Sequence, residues 1–255
     1  HRDLHSFPTR RSSDLGHQVT LFEASNEIGG QFNIAKQIPG KEEFYETLRY
    51  FSKRLEVLNV DVKLGKRVDL ETIKAGDFDE VVIATGVLPR EPGIPGQDHP
   101  KVLTYLDVLR DKKEVGERVA VVGAGGIGFD VCEFLSHEGD ESSVDINAFL
   151  TKWGIDPENK VRGGVVGIKP NAPKSKRKIT LLQRKKTRLG AGLGKTTGWI
   201  HRTSLKTKKI TMVPGAQYNK IDDEGLHYSL DGVTQVLPVD RSEERRVGKE
   251  CRSRW

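Results

Sequence analysis

Cysteine is nearly absent from this chain. It occurs twice, at Cys132 and Cys251. That excludes a disulfide framework, a C-x-x-C redox pair and any thiolate cluster for zinc or iron–sulfur. Cys132 falls on the apolar face of an expected helix, where a small core residue is the simpler reading than a reactive thiol. No apolar run approaches the ~20 residues that a membrane-spanning helix needs. The N-terminus has no apolar core of a secretory signal. A soluble, cytoplasmic protein with no membrane partner is therefore expected.

The two ends stand apart from the rest. Residues 1–15 read HRDLHSFPTRRSSDL and residues 241–255 read RSEERRVGKECRSRW, without strand or helix periodicity. Both resemble translations of a common sequencing adaptor. With suitable codons, the reverse complement of the DNA for the second segment, read one frame over, encodes the first. We expect both to be adaptor-derived and exclude them from the fold and the function. The excluded ends carry net +1 and +3, so the formal +6 falls to +2 for residues 16–240. The high isoelectric point is then no argument for nucleic-acid binding, and Cys132 is the one cysteine left.

Glycine is plentiful, at 27 residues, and its placement carries the function. Val119–Val122 is a β-branched run that ends directly in Gly123-Ala124-Gly125-Gly126-Ile127-Gly128, and Phe129–Leu135 continues with helical spacing. A strand, a G-x-G-x-x-G corner and a helix form the dinucleotide fingerprint. Gly123 permits the tight turn, Gly125 lets a pyrophosphate approach bare backbone, and Gly128 lets the helix pack close to the strand. The helix start, with Gly126 and Ile127, offers unpaired N–H groups and partial positive charge to phosphate.

An α/β chain with two nucleotide half-sites is expected around this corner. Gly16–Glu23 reads as a strand ending in an acid, which in a Rossmann unit can bind ribose hydroxyls. The glycine loop belonging to Glu23 should lie roughly 20 residues upstream, inside the excluded segment, so the first strand of this half is expected to be missing. The glycine pair before Gln31, Gly29-Gly30, permits close approach of a ligand. Lys41–Leu58 is an amphipathic helix with Phe44, Leu48, Phe51, Leu55 and Leu58 on one face. Val60–Leu64 is a short strand. Asp79–Gly86 reads as a buried strand opening onto Ala84-Thr85-Gly86, and Pro89–Pro100 as a linker.

In the second half, the interval after the glycine corner is interrupted by a polar, glycine-rich insertion over 139–177 that contains one helix, Val144–Trp153. The next strand, Lys178–Gln183, ends in Arg184-Lys185-Lys186 instead of an acid. A carboxylate there would repel a 2′-phosphate, whereas Arg and Lys pair with it, which favours NADPH over NADH. Gly190–Thr196 invites a phosphate-loop reading but has Leu189 where that motif needs glycine. Trp199 on the following helix is expected to serve packing. Four alternating segments between Lys209 and Leu237 read as a β-meander, with Asp231-Gly232 as a hairpin turn.

Several stretches together carry a family resemblance: GHQVTLFEASNEIGGQFNIAKQIPGKEEFYETLRY at 16–50, HPKVLTYLDVLRDK at 99–112, GGIGFD at 125–130, LQRK at 182–185 and GLGKTTGWIHRT at 192–203. Through them, residues 16–240 resemble part of the bacterial NADPH-dependent 2,4-dienoyl-CoA reductases. In that family an N-terminal barrel holds FMN and a 4Fe–4S cluster, followed by an FAD domain with an NADPH domain inserted. The resemblance implies two Rossmann-like three-layer dinucleotide-binding domains of the FAD/NAD(P)-binding type: an incomplete FAD domain at 16–100 and an NADPH domain at 101–240. It implies that Glu23 meets the FAD adenosine ribose. Gly30, Gln31, Lys41, Val68, Ala84, Thr85 and Gly86 would run along FAD, and Arg184 and Lys185 would hold the NADPH 2′-phosphate. It also implies a monomeric parent that acts on dienoyl-CoA thioesters in unsaturated fatty acid β-oxidation.

Hydride transfer from nicotinamide to flavin needs positioning but no protein acid or base. No catalytic residue and no metal ligand are therefore expected in this chain, and the fragment alone is expected to be inactive. Two other readings compete. Another pyridine-nucleotide flavoprotein, such as an NADH oxidase, a trimethylamine dehydrogenase-like protein or a thioredoxin-reductase-like enzyme, fits the half-sites, although the lack of C-x-x-C argues against the last. A basic nucleic-acid-binding module built on Lys169–Arg188 lacks an aromatic platform. If the first strand of the FAD half is absent, that half exposes strand edges, and the NADPH half should be the better ordered.

Overall fold

The computed structural model describes residues 15–139 and 144–240. The end segments 1–14 and 241–255 and four residues of the expected insertion lie outside them. The chain divides into two compact units, one containing residues 15–36 and 41–90, the other 37–40 and 91–240.

The first unit is small. Strands β1 (Thr20–Phe22) and β2 (Asp61–Lys63) pair in parallel, with Leu21 opposite Val62. Between them run a short helix α1 (Gln31–Ala35) and the amphipathic helix α2 (Glu43–Val57). The rings of Phe32 and Phe44 meet edge to face at 4.9 Å and bind the two helices together. Helix α3 (Leu70–Ala75) is capped by Asp69, whose carboxylate accepts the Thr72 N–H at 2.8 Å. Leu55 and Val60 are the buried apolar side chains of this unit among the described residues.

The expected buried strand at Asp79–Gly86 is not formed. The segment is irregular, and Val82, Ile83 and Leu88 are 60, 80 and 90% exposed. Its β-branched composition fits a central strand, but a parallel strand acquires its hydrogen bonds only from neighbours. Among the described residues none pairs with it. Among the described residues the first unit therefore shows a two-stranded parallel sheet in place of the expected three-layer architecture.

The second unit has three layers. Strands β3 (Arg118–Val122), β4 (Lys178–Leu182) and β5 (Thr211–Val213) form a parallel sheet in the order β3-β4-β5. Helices α4 (Tyr105–Leu109), α5 (Gly126–Leu135) and α7 (Gly198–Thr207) make the helical layer. An antiparallel meander of β6 (Gln217–Asp222), β7 (Gly225–Leu230) and β8 (Val233–Leu237) packs on the other face. Strand β4 is the axis of the unit, and its residues 179–182 are buried on both faces, as in parallel sheets covered on each side. Leu181 faces α5, whereas Leu182 joins Ala216, Leu226 and Tyr228 under the meander.

The insertion does not disturb the β3–β4 pairing, because its neck is tied shut. The Lys176 amide donates to Glu138 at 2.9 Å, and the Lys176 ammonium pairs with the same carboxylate at 2.6 Å. Arg177 Nη1 donates to the Leu135 carbonyl at 3.0 Å. Inside the insertion, α6 (Ile146–Trp153) is capped by Asp145 at its start and by left-handed Gly154 at its end. A part-buried ion pair joins α5 and α7: Lys208 Nζ lies 2.5 Å from Glu133 Oε1, and the Ser204 hydroxyl donates to Glu133 Oε2 at 2.9 Å. Asp240 accepts the amides of Glu117 and Arg118 and pairs with the Arg118 guanidinium, which pins the start of β3.

Candidate dinucleotide-binding site

The site lies at the C-terminal ends of the parallel strands, where open α/β sheets receive ligands. Gly123 follows β3 with φ 106°, a conformation that side-chain-bearing residues rarely adopt. Its amide donates to the Leu182 carbonyl at 2.9 Å. This bond seats the glycine corner directly against the end of β4. Gly125 is the N-cap of α5, and Gly126 opens the helix. A Cβ placed on Gly123, Gly125 or Gly126 would meet nothing within 4 Å. All three, with Ile127, are exposed. They form a bare backbone cradle with the helix N–H groups at its floor. Gly128 differs: a Cβ there would lie 1.8 Å from the Gly123 carbonyl oxygen and 3.4 Å from Leu181 Cδ1. Its absence of a side chain sets how closely α5 approaches the corner.

The basic strand end adjoins this cradle. Arg184 and Lys185 are exposed in the turn after β4. Gln183 shapes that turn by donating its side-chain amide to the carbonyls of Lys185, at 2.9 Å, and Thr187. The Gly215 amide donates to the Lys185 carbonyl at 3.0 Å, and the Ala216 amide to the Gln183 carbonyl at 2.9 Å. The start of β6 is thus laid along the basic turn. Lys186 is turned away and pairs with Asp231 at 2.9 Å. The open backbone and the paired cations fit a dinucleotide with an additional phosphate.

The expected FAD residues are placed less tightly. Glu23 follows β1, and its Oε1 accepts both the amide and the hydroxyl of Ser25, at 2.8 and 2.7 Å. Gly29 is explained by packing, since a Cβ there would meet Leu48 Cδ2 at 2.6 Å, whereas Gly30 opens onto free space. Gln31 is exposed at the start of α1; Lys41 and Val68 are half-buried. Ala84, Thr85 and Gly86 lie in the exposed irregular segment. These residues do not form a closed cradle among the described residues.

Other features are resolved as structure. Cys132 is fully buried, and burial pushes its thiol up to about 12, so it is an inert core residue. Trp199 departs from the packing expectation: it is 56% exposed at the first turn of α7. Helical spacing alone does not say which side of a terminal turn is covered. Gly190–Thr196 is a turn between β4 and α7, held by Arg202 donating to the Gly190 carbonyl at 3.0 Å. Asp222, Glu224 and His227 gather at the β6–β7 turn. Lys220, at 2.7 Å, and the His227 ring, at 2.8 Å, already occupy the Asp222 carboxylate and hold it well below the usual carboxylate range. That cluster is an ion-pair network. Among the described residues, no helix is long and apolar enough to cross a membrane.

A parallel sheet with a glycine corner facing a basic strand end defines a dinucleotide-binding α/β protein. The comparisons with known proteins narrow the class: the family model for pyridine nucleotide-disulphide oxidoreductases matches residues 8–242, and the chain belongs to that family. The family implies FAD and NAD(P)H as cofactors. Among curated relatives, a metal reductase of Desulforamulus reducens is 27% identical over 229 residues, covering 88% of this chain and 33% of the relative. A bilirubin reductase of Mediterraneibacter gnavus is 38% identical over 135 residues, covering 53% of this chain and 21% of the relative. An N,N-dimethylglycine/sarcosine dehydrogenase of Chromohalobacter salexigens is 34% identical over 246 residues, covering 93% and 30%. A solved 2-naphthoyl-CoA reductase complex superposes with a TM-score of 0.72 at 23% identity, over 91% of this chain and 30% of that one. The chain thus spans at most about a third of these proteins' own length.

Proposed function

We propose that this chain is the pyridine-nucleotide-handling part of a longer flavoprotein reductase, with NADPH as the electron donor and FAD as the first acceptor. The NADPH pyrophosphate lies on Gly123, Gly125, Gly126 and Ile127 at the start of α5. The 2′-phosphate lies on Arg184 and Lys185. One observation carries this reading: the Gly123 amide is bonded to the Leu182 carbonyl at 2.9 Å, which brings the backbone cradle and the basic turn to one sheet edge. An Arg–phosphate contact is charge-assisted and can be bidentate, whereas a 2′-hydroxyl gains far less from the same cations.

The residues of this chain bind and orient; none holds or moves a proton. Hydride transfer asks the protein for a reacting distance of about 3–3.5 Å and an aligned nicotinamide, and FAD supplies the electron-accepting ring when bound. On the FAD side, Glu23 would offer its second carboxylate oxygen to the ribose hydroxyls, and Gly30 its open backbone. Gln31, Lys41, Val68 and Ala84–Gly86 would line the remainder once the irregular segment pairs. The 16–100 and 101–240 domain division belongs to this proposal.

For the parent protein, the finer reading is a bacterial NADPH-dependent 2,4-dienoyl-CoA reductase, with FMN and a 4Fe–4S cluster in a barrel outside this chain. The quoted sequence stretches support it. The curated reductases among the relatives support a reductive direction. Titrating the chain with NADPH and NADH tests the donor. Tight binding of NADPH and weak binding of NADH are expected, with Arg184→Glu abolishing the difference. Equal affinities in the wild type would overturn the assignment.

A further inference from the structure

Tyr218 carries an unused polar group beside the basic turn. Its ring packs against the cluster of Leu182, Ala216, Leu226 and Tyr228, and it stands opposite Tyr228 in the β6–β7 ladder just before an irregularity in register. Its hydroxyl oxygen is buried and has no hydrogen-bond partner among the described residues. By contrast, the Tyr228 hydroxyl donates to Gln235 at 3.0 Å. Buried hydroxyls are ordinarily paired, so an orphan calls for a cause. The place of this one is specific. Residues 215 and 216, immediately before β6, are hydrogen-bonded to the carbonyls of Lys185 and Gln183, so β6 begins against the basic turn, and the Arg184 charge is felt at the Tyr218 phenol.

We propose that Tyr218 is a third specificity-determining residue for the adenosine 2′-phosphate: its hydroxyl donates to a phosphate oxygen that Arg184 and Lys185 hold. The proposal rests on the NADPH reading above. Burial pushes the phenol up to about 12, against the opposing influence of the Arg184 charge. The hydroxyl therefore stays protonated at neutral pH and presents a donor, not a repelling anion, to phosphate. Arg184 is exposed. In this proposal the exposed Arg184 side chain turns onto the incoming phosphate and carries it to the hydroxyl. The orphan is then a group whose partner arrives with the ligand.

Two nucleotides isolate the contact: adenosine 2′,5′-bisphosphate, which carries the 2′-phosphate, and adenosine 5′-monophosphate, which lacks it. Both are titrated calorimetrically into the wild type, Tyr218→Phe and Arg184→Gln. Tyr218→Phe should weaken the bisphosphate about ten-fold, leave the monophosphate unchanged and leave the melting temperature equal or raised, because no bond in the free protein is lost. If Arg184→Gln weakens the bisphosphate and Tyr218→Phe does not, the tyrosine assignment falls and the NADPH reading stands. If neither variant changes bisphosphate binding, or the wild type does not prefer it, both fall. A lowered melting temperature or loss of fold in Tyr218→Phe would show a structural partner for the hydroxyl and overturn the inference.

Discussion

The glycine corner allows binding and folding to be perturbed separately, by adding one methyl group at each of two positions three residues apart. At Gly125 the backbone is extended, with φ −83° and ψ −172°, and a Cβ would enter open space. Gly125→Ala should therefore fold normally. The change from Gly to Ala at an N-cap without a side-chain bond is worth no more than about 1 kcal/mol. The same methyl stands where the pyrophosphate would touch the backbone, so NADPH affinity should fall at least about ten-fold, or ~1.4 kcal/mol. At Gly128 the methyl would lie 1.8 Å from the Gly123 carbonyl oxygen, about 1.5 Å short of an ordinary C···O contact of ~3.3 Å. The obstructing atom is backbone, so no side-chain rotation relieves it. Either α5 retreats or the corner moves and breaks the Gly123–Leu182 bond. Overpacking at about 1–3 kcal/mol, with a lost hydrogen bond at about 0.5–1.5 kcal/mol, gives a loss near 3 kcal/mol. At 2–4 °C per kcal/mol for a chain of this size, Gly128→Ala should melt roughly 6–12 °C lower. Thermal melting and NADPH titration of both variants check this. A folded Gly125→Ala that binds NADPH as tightly as the wild type would refute the placement of the pyrophosphate. A Gly128→Ala with an unchanged melting temperature would refute the packing argument.

Three further outcomes are expected. Lys208→Met should cost about 1–3 kcal/mol in urea unfolding, because it leaves the part-buried Glu133 carboxylate without its cation; in Glu133→Gln/Lys208→Met most of that loss should return. Lys113 and Thr104 hold the Asp107 carboxyl at about 2, below its ordinary value. Its contribution is complete above about pH 4 and is lost as pH falls through about 2, so the stability gap between wild type and Asp107→Asn should shrink over that range; a constant gap would contradict the pairing. Hydrogen exchange should be fast at Val81–Leu88 and slow at Ile179–Leu182, since the first segment is exposed and irregular and the second is buried on both faces; equal protection in the two units would oppose this.

Local pattern made the second unit legible because its elements carry their own instructions. The β-branched run before Gly123, the alternation from Lys209 to Leu237 and the Asp231-Gly232 turn each depend on neighbours close in sequence, and β6, β7 and β8 form accordingly. The amphipathic face of α2 is legible for the same reason. Asp79–Gly86 shows the limit. Its residues are those of a buried parallel strand, but a strand's hydrogen bonds belong to its partners, and composition does not say whether a partner is in place. Trp199 and Tyr218 show a second limit. Exposure at the first turn of α7 and an orphaned hydroxyl beside Arg184 both depend on what packs across from the residue. The sequence holds the tyrosine, but not the register of β6 along the basic turn that gives it meaning.

The same distinction bears on how the two nucleotide half-sites can work. On the proposed reading the NADPH side is enclosed by one stretch of chain: β3, α5 and β4 fix the cradle, and the neck bonds close the insertion beside the β3–β4 pairing. Its affinity for adenosine 2′,5′-bisphosphate should therefore be a property of residues 101–240. On the same reading the FAD side would have its acid and its open glycine on the first unit, but its third contact, Ala84–Gly86, lies on chain that no strand among the described residues pairs with. Backbone that must be ordered by the ligand subtracts its ordering entropy, about 1–2 kcal/mol per residue, from the binding free energy. Fixing the eight residues of Asp79–Gly86 would consume about 8–16 kcal/mol, comparable to the whole free energy of a nanomolar complex. The chain should thus retain nucleotide selectivity while holding flavin weakly. Dialysis followed by flavin absorbance, beside bisphosphate calorimetry on the same sample, separates the two; stoichiometric retained flavin would contradict the entropy argument.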